Sequence, residues 1–222
     1  MANILFGSIV RNGEKYIQRY YEQISSIKNH HVAIAITEGD STDNTYSCIL
    51  DNAESSGIAT SLFKFDHKGN LYGSVNVAER WYNIAKTWNY MLDNIQTLLE
   101  SYDYFCYMEA DLIWSKETIE QLVWDCDYFD AVAPMSMLGG IFYDTWGHCA
   151  FGENFTNMYP YHSCFDRYQK YMPLTSAGSC IMMQSKVAKV CRLNPKDAMI
   201  GHDIIKNQFS FVLNKTIAVH HP

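Results

Sequence analysis

The sequence predicts an α/β fold with a mostly parallel central sheet between two layers of helices. Short apolar runs alternate along the chain with segments whose apolar residues recur at helical spacing. Strands joined by helices in this way pair in parallel through right-handed crossovers. The 222 residues are 48% hydrophobic and 18% charged, which suits one sizeable core, so we expect a single domain.

Three strand and helix pairs are predicted in the first half of the chain. Each begins with a short apolar run, typical of a buried strand, and continues with apolar residues three and four positions apart. The predicted strands cover residues 4–10, 32–36 and 61–65. The predicted helices cover residues 17–27, 46–53 and 81–99.

The run at residues 104–108 is apolar on both faces, as a central parallel strand covered by helices must be. Ser115 is suited to cap the helix that follows it. Residues 130–134 and 215–219 predict two later strands. Between these two strands, residues 135–173 show no regular period and are rich in aromatic side chains, which indicates either a binding loop or an aromatic minicore.

Charge and composition exclude several classes of protein. The 17 basic and 24 acidic side chains leave a net charge of −7, so no overall positive field draws the chain to nucleic acid or anionic lipid. The sequence shows neither a signal-peptide pattern nor an apolar run of membrane-spanning length, so we expect a soluble, cytoplasmic protein. The 7 cysteines are scattered without a C-x-x-C pair, so we expect reduced, mostly buried thiols.

Polar clusters follow three of the predicted strands, at residues 8–14, 37–45 and 109–111. In a sheet of this kind ligands bind beyond the carboxyl ends of the strands. We therefore expect the three clusters to converge on one crevice.

Glu109 and Asp111 are the best candidates for a metal site. In extended chain, residues two positions apart project to the same side, so both carboxylates can reach one hard cation, Mg2+ or Mn2+ rather than zinc. The alternative is a solvated strand end. His220 and His221 follow the last predicted strand and point to opposite faces, so at most one of them can face the crevice.

Residues 37–45, which read T-E-G-D-S-T-D-N-T, resemble the D-D-G-S-T-D-x-T segment of glycosyltransferase family 2 and related GT-A glycosyltransferases. The R-N-x-E-type turn at Arg11 and the segment Glu109-Ala110-Asp111 are similar to the turn and the D-x-D metal motif of these enzymes. The resemblance spans nearly the whole chain and implies a Rossmann-like GT-A fold of three layers. It continues in residues 143–146, 176–180 and 201–203 and in the terminal histidines.

The resemblance implies a role for each matching residue on the donor side. Glu38 would contact the base or ribose of the nucleotide, Asp43 would hold the turn beneath it, and Arg11 would lie near the nucleotide. Glu109 and Asp111 would bind Mn2+ or Mg2+ and, through it, the donor diphosphate. His220 or His221 would complete the coordination of the metal.

On the acceptor side, the resemblance implies that Asp203 is the base that deprotonates the attacking hydroxyl. A helix-start carboxylate with no catalytic role is the alternative for this residue. The resemblance also implies that the acceptor is bound by Tyr143, Asp144, Trp146 and Gly178. The donor half would be residues 1–114 and the acceptor half residues 115–222 of a single domain.

The sequence departs from the family pattern at three places. Gly39 stands where the family has its second acidic residue, and Asp40 stands where it has glycine. Trp88 occupies the place of an expected arginine in the long helix. Lys86 is a candidate replacement for that charge near the diphosphate, although an exposed lysine on a helix is usually only solvated.

These features favour a metal-dependent glycosyltransferase that moves a sugar from a nucleoside diphosphate sugar, with UDP preferred, to a hydroxyl acceptor. The acceptor is either a saccharide or a hydroxymethylated base in DNA, the latter as in compact glycosyltransferases of viruses that infect bacteria. A basic patch beside the crevice would favour DNA, whereas the net charge of −7 disfavours it. The candidate cations for such a patch are Lys186, Lys189, Arg192, Lys196 and Lys206.

Two other classes are less consistent with the sequence. A nucleotidyltransferase acting on a sugar phosphate uses a similar sheet and metal, but it needs a glycine-rich basic loop after the first strand. Only Gly13 and Lys15 follow Val10 here. A non-catalytic carbohydrate-binding module has no use for a pair of metal-binding carboxylates.

Overall fold

A computed structural model describes residues 1–69, 72, 77–143, 147–150 and 170–222 of the chain. Within these ranges ten strands form one sheet, and six α-helices pack against it. The strands are β1 (Asn3–Val10), β2 (His31–Glu38), β3 (Thr60–Lys64), β4 (Tyr104–Met108), β5 (Ala131–Leu138), β6 (Ile141–Phe142), β7 (Cys149–Ala150), β8 (Tyr171–Ser176), β9 (Cys180–Gln184) and β10 (Phe211–His220). The helices are α1 (Glu14–Ser25), α2 (Thr45–Ser56), α3 (Ala78–Asn94), α4 (Lys116–Asp125), α5 (Ser185–Val190) and α6 (His202–Lys206).

The first four strands form the parallel part of the sheet, in the order β3-β2-β1-β4. β9 then inserts antiparallel between β4 and β5, and β10 lies parallel to β5. The antiparallel pair of β8 and β7 closes the far edge. The predicted α/β class and layered sheet are confirmed.

Periodicity located the parallel strands, β5 and the last strand, but the antiparallel additions went largely unpredicted. The region expected to be irregular from residue 135 still contains the second half of β5 and the short β6. It ends in β8, which begins at Tyr171. β6 pairs with the end of β5 across a turn of two residues, and it is too short to show a period. β8 pairs with β10, which is distant in sequence, so no local pattern reveals that pairing.

Helices cover the sheet on both faces, as the apolar strand at residues 104–108 predicted. In β4, Phe105 and Tyr107 pack on one face with α3, α5 and α6, while Cys106 and Met108 pack on the other face with α1, α2 and α4. β1 alternates in the same way. Buried strands of this kind read as continuous hydrophobic runs, which is how the sequence presents them.

The cysteines within the described residues are all free thiols, and five of them are buried. This confirms the expectation of reduced, buried side chains for these positions. Burial raises the pKa of Cys191 to about 12, so its thiol stays protonated at neutral pH. Cys164 lies outside the described residues.

No helix in the described ranges combines the length and apolar character that a bilayer crossing requires.

A buried carboxylate at the end of α4 joins three elements. Asp125 is fully buried and accepts hydrogen bonds from Gln121 Nε2 at 2.7 Å, Tyr171 OH at 2.8 Å and Asn214 Nδ2 at 2.5 Å. Asn214 marks the irregularity at which the pairing of β10 with β5 shifts before Ala218. The Asp125 network therefore supports the bend that sets where the carboxyl end of β10 arrives.

Replacing Asp125 with alanine is expected to lower the free energy of unfolding by about 3 kcal/mol, because one buried and two part-buried donors lose their acceptor. Urea denaturation monitored by circular dichroism measures the loss. The control is Asp51→Ala on the exposed face of α2, which should change stability by less than about 0.5 kcal/mol. A loss no larger in Asp125→Ala than in the control would show that the network contributes nothing.

Candidate functional site

A cavity of about 460 Å³ opens at the carboxyl ends of β1, β2 and β4. Each of the three predicted polar clusters contributes to its wall, so they do converge on one crevice. Arg11 and Asn12 come from the first, Gly39 and Asp40 from the second, and Glu109, Ala110 and Asp111 from the third.

Beside this cavity, hydrogen bonds connect the N-terminal ends of α1 and α2. The Asp43 carboxylate accepts hydrogen bonds from the backbone N–H of Glu14 at 3.2 Å and of Thr45 at 3.1 Å. Thr45 Oγ1 in turn accepts one from Gly13 N at 2.7 Å. Burial alone would raise the pKa of Asp43, but the hydrogen bonds from Thr45 and Glu14 outweigh it and lower that pKa. Asp43 thus joins α1 to α2.

Asp40 holds the loop that forms the next wall. Its carboxylate accepts hydrogen bonds from three successive backbone amides, those of His67 and Lys68 at 3.0 Å and of Gly69 at 3.3 Å. Burial acts to raise the pKa of Asp40, yet these bonds and the Arg11 charge lower it. The carboxylate is therefore ionised at neutral pH and serves as the anchor of residues 67–69.

The exchanged order of Gly39 and Asp40 has a steric cause. A Cβ atom at Gly39 would collide with the carbonyl oxygen of Phe65, so glycine is required where the family carries an acidic residue. Asp40 adopts a φ of 56°, the left-handed conformation that the family's glycine would otherwise supply. The two departures compensate each other.

Arg11 closes this wall with two hydrogen bonds. Its Nε donates to the carbonyl oxygen of Asp40 at 3.2 Å, and its Nη2 donates to that of Gly69 at 2.8 Å. His67 also faces the cavity, and its Nε2 lies 2.6 Å from Thr87 Oγ1. Burial lowers the pKa of His67, so its imidazole is largely neutral at pH 7.

Glu38 lies at the end of β2, behind the wall. Its side chain is 2% exposed, and Oε1 accepts a hydrogen bond from Ser41 N at 3.1 Å. Oε2 is buried without a hydrogen-bond partner among the described residues. Glu38 is not one of the residues that line the cavity.

Two cationic side chains of the long helix α3 differ in their position relative to the cavity. Lys86 is exposed, lies with Nζ 5.0 Å from the centre of the Tyr82 ring and is not among the residues that line the cavity. Arg80, in the first turn of α3, lines the cavity instead. The sequence held one signal that could have identified Arg80. This residue lies at the start of a predicted helix, and the starts of helices in this fold lie near the cavity. Trp88 is fully buried against the ring of Tyr107.

Glu109, Asp111 and His221 come together as the predicted metal site requires. One ligand atom from each lies within 4.8 Å of the others, and Asp111 Oδ2 is 4.0 Å from His221 Nδ1. Two carboxylates and an imidazole are a donor set that Mn2+ or Mg2+ accepts, so the residues fit a divalent cation.

Neighbouring hydroxyl groups orient two of these side chains. Tyr107 OH donates to Glu109 Oε1 at 3.3 Å, and Ser179 Oγ lies 3.3 Å from His221 Nε2. Such outer contacts fix the orientation of metal ligands. His220 is exposed, and its backbone is paired with Ile113. The structure therefore brings His221, and not His220, to the carboxylates.

The residues expected on the acceptor side are only partly described. The Tyr143 side chain is half exposed, with its ring centre 4.5 Å from that of His221. Gly178 precedes β9, next to Ser179, whose carbonyl oxygen accepts a hydrogen bond from Glu109 N at 3.0 Å. Asp144 and Trp146 lie outside the described residues.

Asp203 lies in the first turn of α6 and does not line the cavity. Its Oδ2 accepts a hydrogen bond from the backbone N–H of Arg192 at 3.0 Å. The bridge between Ala177 and Ile200 places the start of α6 beside the chain that leads to Gly178. One carboxylate oxygen thus has a structural partner, and the role of Asp203 as base stays a prediction.

Comparison with known proteins finds similarity in sequence to a sugar transferase and in fold to solved structures. The chain is 27% identical over 121 residues to the dTDP-rhamnosyl transferase RfbG of Shigella flexneri, a match that covers 54% of this chain and 36% of that protein. No known family profile matches the sequence.

Two solved structures superpose on nearly the whole chain. TarS 1-349 of S. aureus, which has also been solved with UDP and with UDP-GlcNAc, matches with a TM-score of 0.63 and 12% identity, over 99% of this chain and 60% of that one. The mannosyltransferase PcManGT of Pyrobaculum calidifontis, solved with GDP-Man and Mn2+, matches with a TM-score of 0.59 and 13% identity, over 98% of this chain and 56% of that one.

These similarities show that the chain has the GT-A fold that the resemblance of its motifs implied. The chain spans about a third of the length of the curated relative, at 36%, and 60% of the TarS fragment.

The carboxylates of Asp40 and Asp43 make stability depend on pH. Because their pKa values are lowered in the folded chain, the unfolded chain binds more protons in acid. Their contribution is present above the unfolded value of about 4 and is lost as pH falls through the folded values. Urea unfolding from pH 7 to pH 2 should show Asp40→Asn and Asp43→Asn less stable than wild type at pH 7.

In the same experiment the difference from wild type should shrink below about pH 4, where the native carboxylates are themselves protonated. Asp51→Asn on the exposed face of α2 is the control and should follow the wild type throughout. A difference that stays constant with pH would show that the ionised form of these carboxylates is not what stabilises the loops.

Proposed function

We propose that the chain transfers a sugar from a nucleoside diphosphate sugar to a hydroxyl acceptor with the help of a divalent cation. The convergence of Glu109, Asp111 and His221 at the cavity is the observation that carries this proposal. The similarity to a dTDP-rhamnosyl transferase and to structures solved with UDP-GlcNAc or GDP-Man supports a nucleotide-sugar donor. We expect UDP-sugars to be the preferred donors. The dTDP-sugars are similar to them, because both carry a pyrimidine base and a diphosphate.

The nucleotide would lie along the wall formed by Arg11, Asp40 and the loop at residues 67–69. Arg11 and Arg80 line this cavity and offer positive charge to a diphosphate. Glu38 Oε2 is a buried acceptor, suited to an N–H of the base or a ribose hydroxyl once the wall adjusts. Asp43 supports the turn beneath without touching the donor.

Glu109, Asp111 and His221 would hold Mn2+ or Mg2+ where the donor diphosphate enters. When bound, such a cation supplies Lewis-acid stabilisation of the charge on the leaving diphosphate. Tyr107 and Ser179 keep the ligands oriented. His221 would coordinate the cation through a ring nitrogen that carries no proton.

The acceptor hydroxyl would lose its proton to the carboxylate of Asp203. Its oxygen bonds to the anomeric carbon as the bond from that carbon to the diphosphate oxygen breaks, and the nucleoside diphosphate leaves. A positioned carboxylate contributes roughly 100- to 10,000-fold to such a step. Tyr143, Asp144, Trp146 and Gly178 are the proposed acceptor wall, within an acceptor half formed by residues 115–222.

A saccharide is the better-supported acceptor. The basic side chains that would favour DNA are largely paired, with Lys186 at 2.9 Å from Asp130, Lys189 at 3.3 Å from Glu100 and Arg192 at 2.7 Å from Asp93. Carboxylates this close cancel much of the positive field that phosphates would need. A hydroxymethylated base in DNA is the alternative acceptor.

Asp111→Asn should reduce sugar transfer by at least about 100-fold, because the cation loses a charged ligand while the fold persists. EDTA should abolish activity of the wild type, and added Mn2+ should restore it. Release of nucleoside diphosphate measures turnover, and Glu54→Gln on the exposed part of α2 is the control. Full activity in Asp111→Asn, or in EDTA, would contradict the metal-dependent mechanism.

Nucleotide sugars should raise the melting temperature in the presence of Mn2+, because a ligand at 100 times its Kd stabilises by about 2.7 kcal/mol. The panel compares UDP-, dTDP- and GDP-sugars with nucleoside triphosphates, each with and without Mn2+. We expect the pyrimidine diphosphate sugars to give the largest shifts. A response to triphosphates alone would instead indicate a nucleotidyltransferase.

A further inference from the structure

We propose that Arg19 is a positioning residue for the metal-binding carboxylates, an inference that rests on the metal site of the proposed function. Arg19 lies on α1, and its Nη2 donates to the backbone carbonyl oxygen of Asp111 at 2.5 Å. Arg19 is not among the residues that line the cavity. Its effect on the site passes through the Asp111 backbone.

Gln23, one turn further along α1, makes a second contact with the same segment. Its Nε2 donates to the carbonyl oxygen of Leu112 at 3.1 Å, and its Oε1 lies 3.5 Å from the amide nitrogen of Trp114. Residues four positions apart on a helix lie on one face. We call Arg19 and Gln23 together the α1 clamp.

The opposite side of this segment is held by the last strand. Ile113 N donates to the carbonyl oxygen of His220 at 2.8 Å, and His220 N donates to that of Ile113 at 2.8 Å. This bridge sets the next residue, His221, against Asp111. Residues 111–114 are therefore fixed between α1 on one side and β10 on the other.

The Arg19 side chain is itself fixed before any ligand binds. Its guanidinium carbon lies 5.6 Å from the centre of the Tyr16 ring, in cation–π contact, and Tyr16 lines the cavity. Its Nε is buried and has no hydrogen-bond partner among the described residues. The ring contact and the bond to the Asp111 carbonyl oxygen therefore restrict the guanidinium, and the carbonyl is held by a preorganised partner.

Positioning is needed because Glu109 and Asp111 repel each other while ionised. Without restraint the segment after β4 would relax by turning the two side chains apart. Three hydrogen-bonding contacts from α1 and two from β10 oppose that relaxation, which keeps the ligand atoms close enough for one cation.

The charge of Arg19 acts in the opposite direction to its hydrogen bond. A positive guanidinium near the site repels a divalent cation, so removal of the charge alone would tighten Mn2+ binding. Removal of the positioning bond loosens the ligands and weakens binding. The sign of the change in Mn2+ affinity therefore separates the two roles.

The test compares wild type, Arg19→Met, Arg19→Lys and Lys15→Met. Methionine keeps the unbranched apolar stem without a donor, and lysine keeps the charge and one donor. Lys15 is the matched control, since it lies on the same helix against the same Tyr16 ring, with Nζ 4.6 Å from the ring centre. Mn2+ dissociation constants come from electron paramagnetic resonance of free Mn2+, and hydrogen exchange of residues 109–114 is measured without metal.

We expect Arg19→Met to weaken Mn2+ binding by roughly 10- to 100-fold, the usual cost of losing an outer contact. Exchange across residues 109–114 should be faster in this variant, with unchanged protection of β1 and β4. Arg19→Lys should recover part of the affinity, and Lys15→Met should match the wild type.

Equal or tighter Mn2+ binding by Arg19→Met, or unchanged exchange of residues 109–114, would overturn the positioning role and leave the proposed function intact. Failure of the wild type to bind Mn2+ at millimolar concentration would overturn the metal site and the positioning role together. Loss of protection throughout the sheet in Arg19→Met would show a general structural role, and would also overturn the proposal.

Discussion

The site depends on one constraint, the pairing of β1 in parallel register with β2 on one side and β4 on the other. Val10 lies opposite Glu38, and Gly7 lies opposite Tyr107. Backbone hydrogen bonds in this ladder make the three strands end at the same edge. The segments that follow them have to share one crevice there, whatever side chains they carry.

Acidic side chains at this edge divide into two groups by what they face. The carboxylates of Asp40 and Asp43 accept hydrogen bonds from backbone amides and fix the loops. Those of Glu109 and Asp111 face the cavity. Some of the acidic side chains behind the net charge of −7 therefore support loops from within, and others face the cavity.

The departures from the family motif each have a structural setting in this chain. Gly39 avoids the carbonyl oxygen of Phe65, and Asp40 adopts a left-handed turn. Trp88 fills the core, and Arg80 brings a cation to the cavity from an earlier turn of α3.

The sequence by itself determined the α/β class, the parallel strands, the helices between them and the polar residues at their ends. These features are local, because burial on both faces leaves an apolar run and a helix leaves a period of 3.6. It also pointed to Glu109 and Asp111, although the structure brings them together in a turn closed by the bond from Leu112 N to the Glu109 carbonyl oxygen, and not in the extended chain that was expected.

Only the tertiary structure decided which histidine joins the carboxylates, where the antiparallel strands insert, and that Arg19 holds Asp111 from 92 positions away. It also showed that Asp203 has a backbone partner and that Arg80, and not Lys86, is among the residues lining the cavity. Each of these outcomes depends on contacts between segments distant in the chain, or on a bend such as the one at Asn214. Neither leaves a period or a motif in the residues on either side.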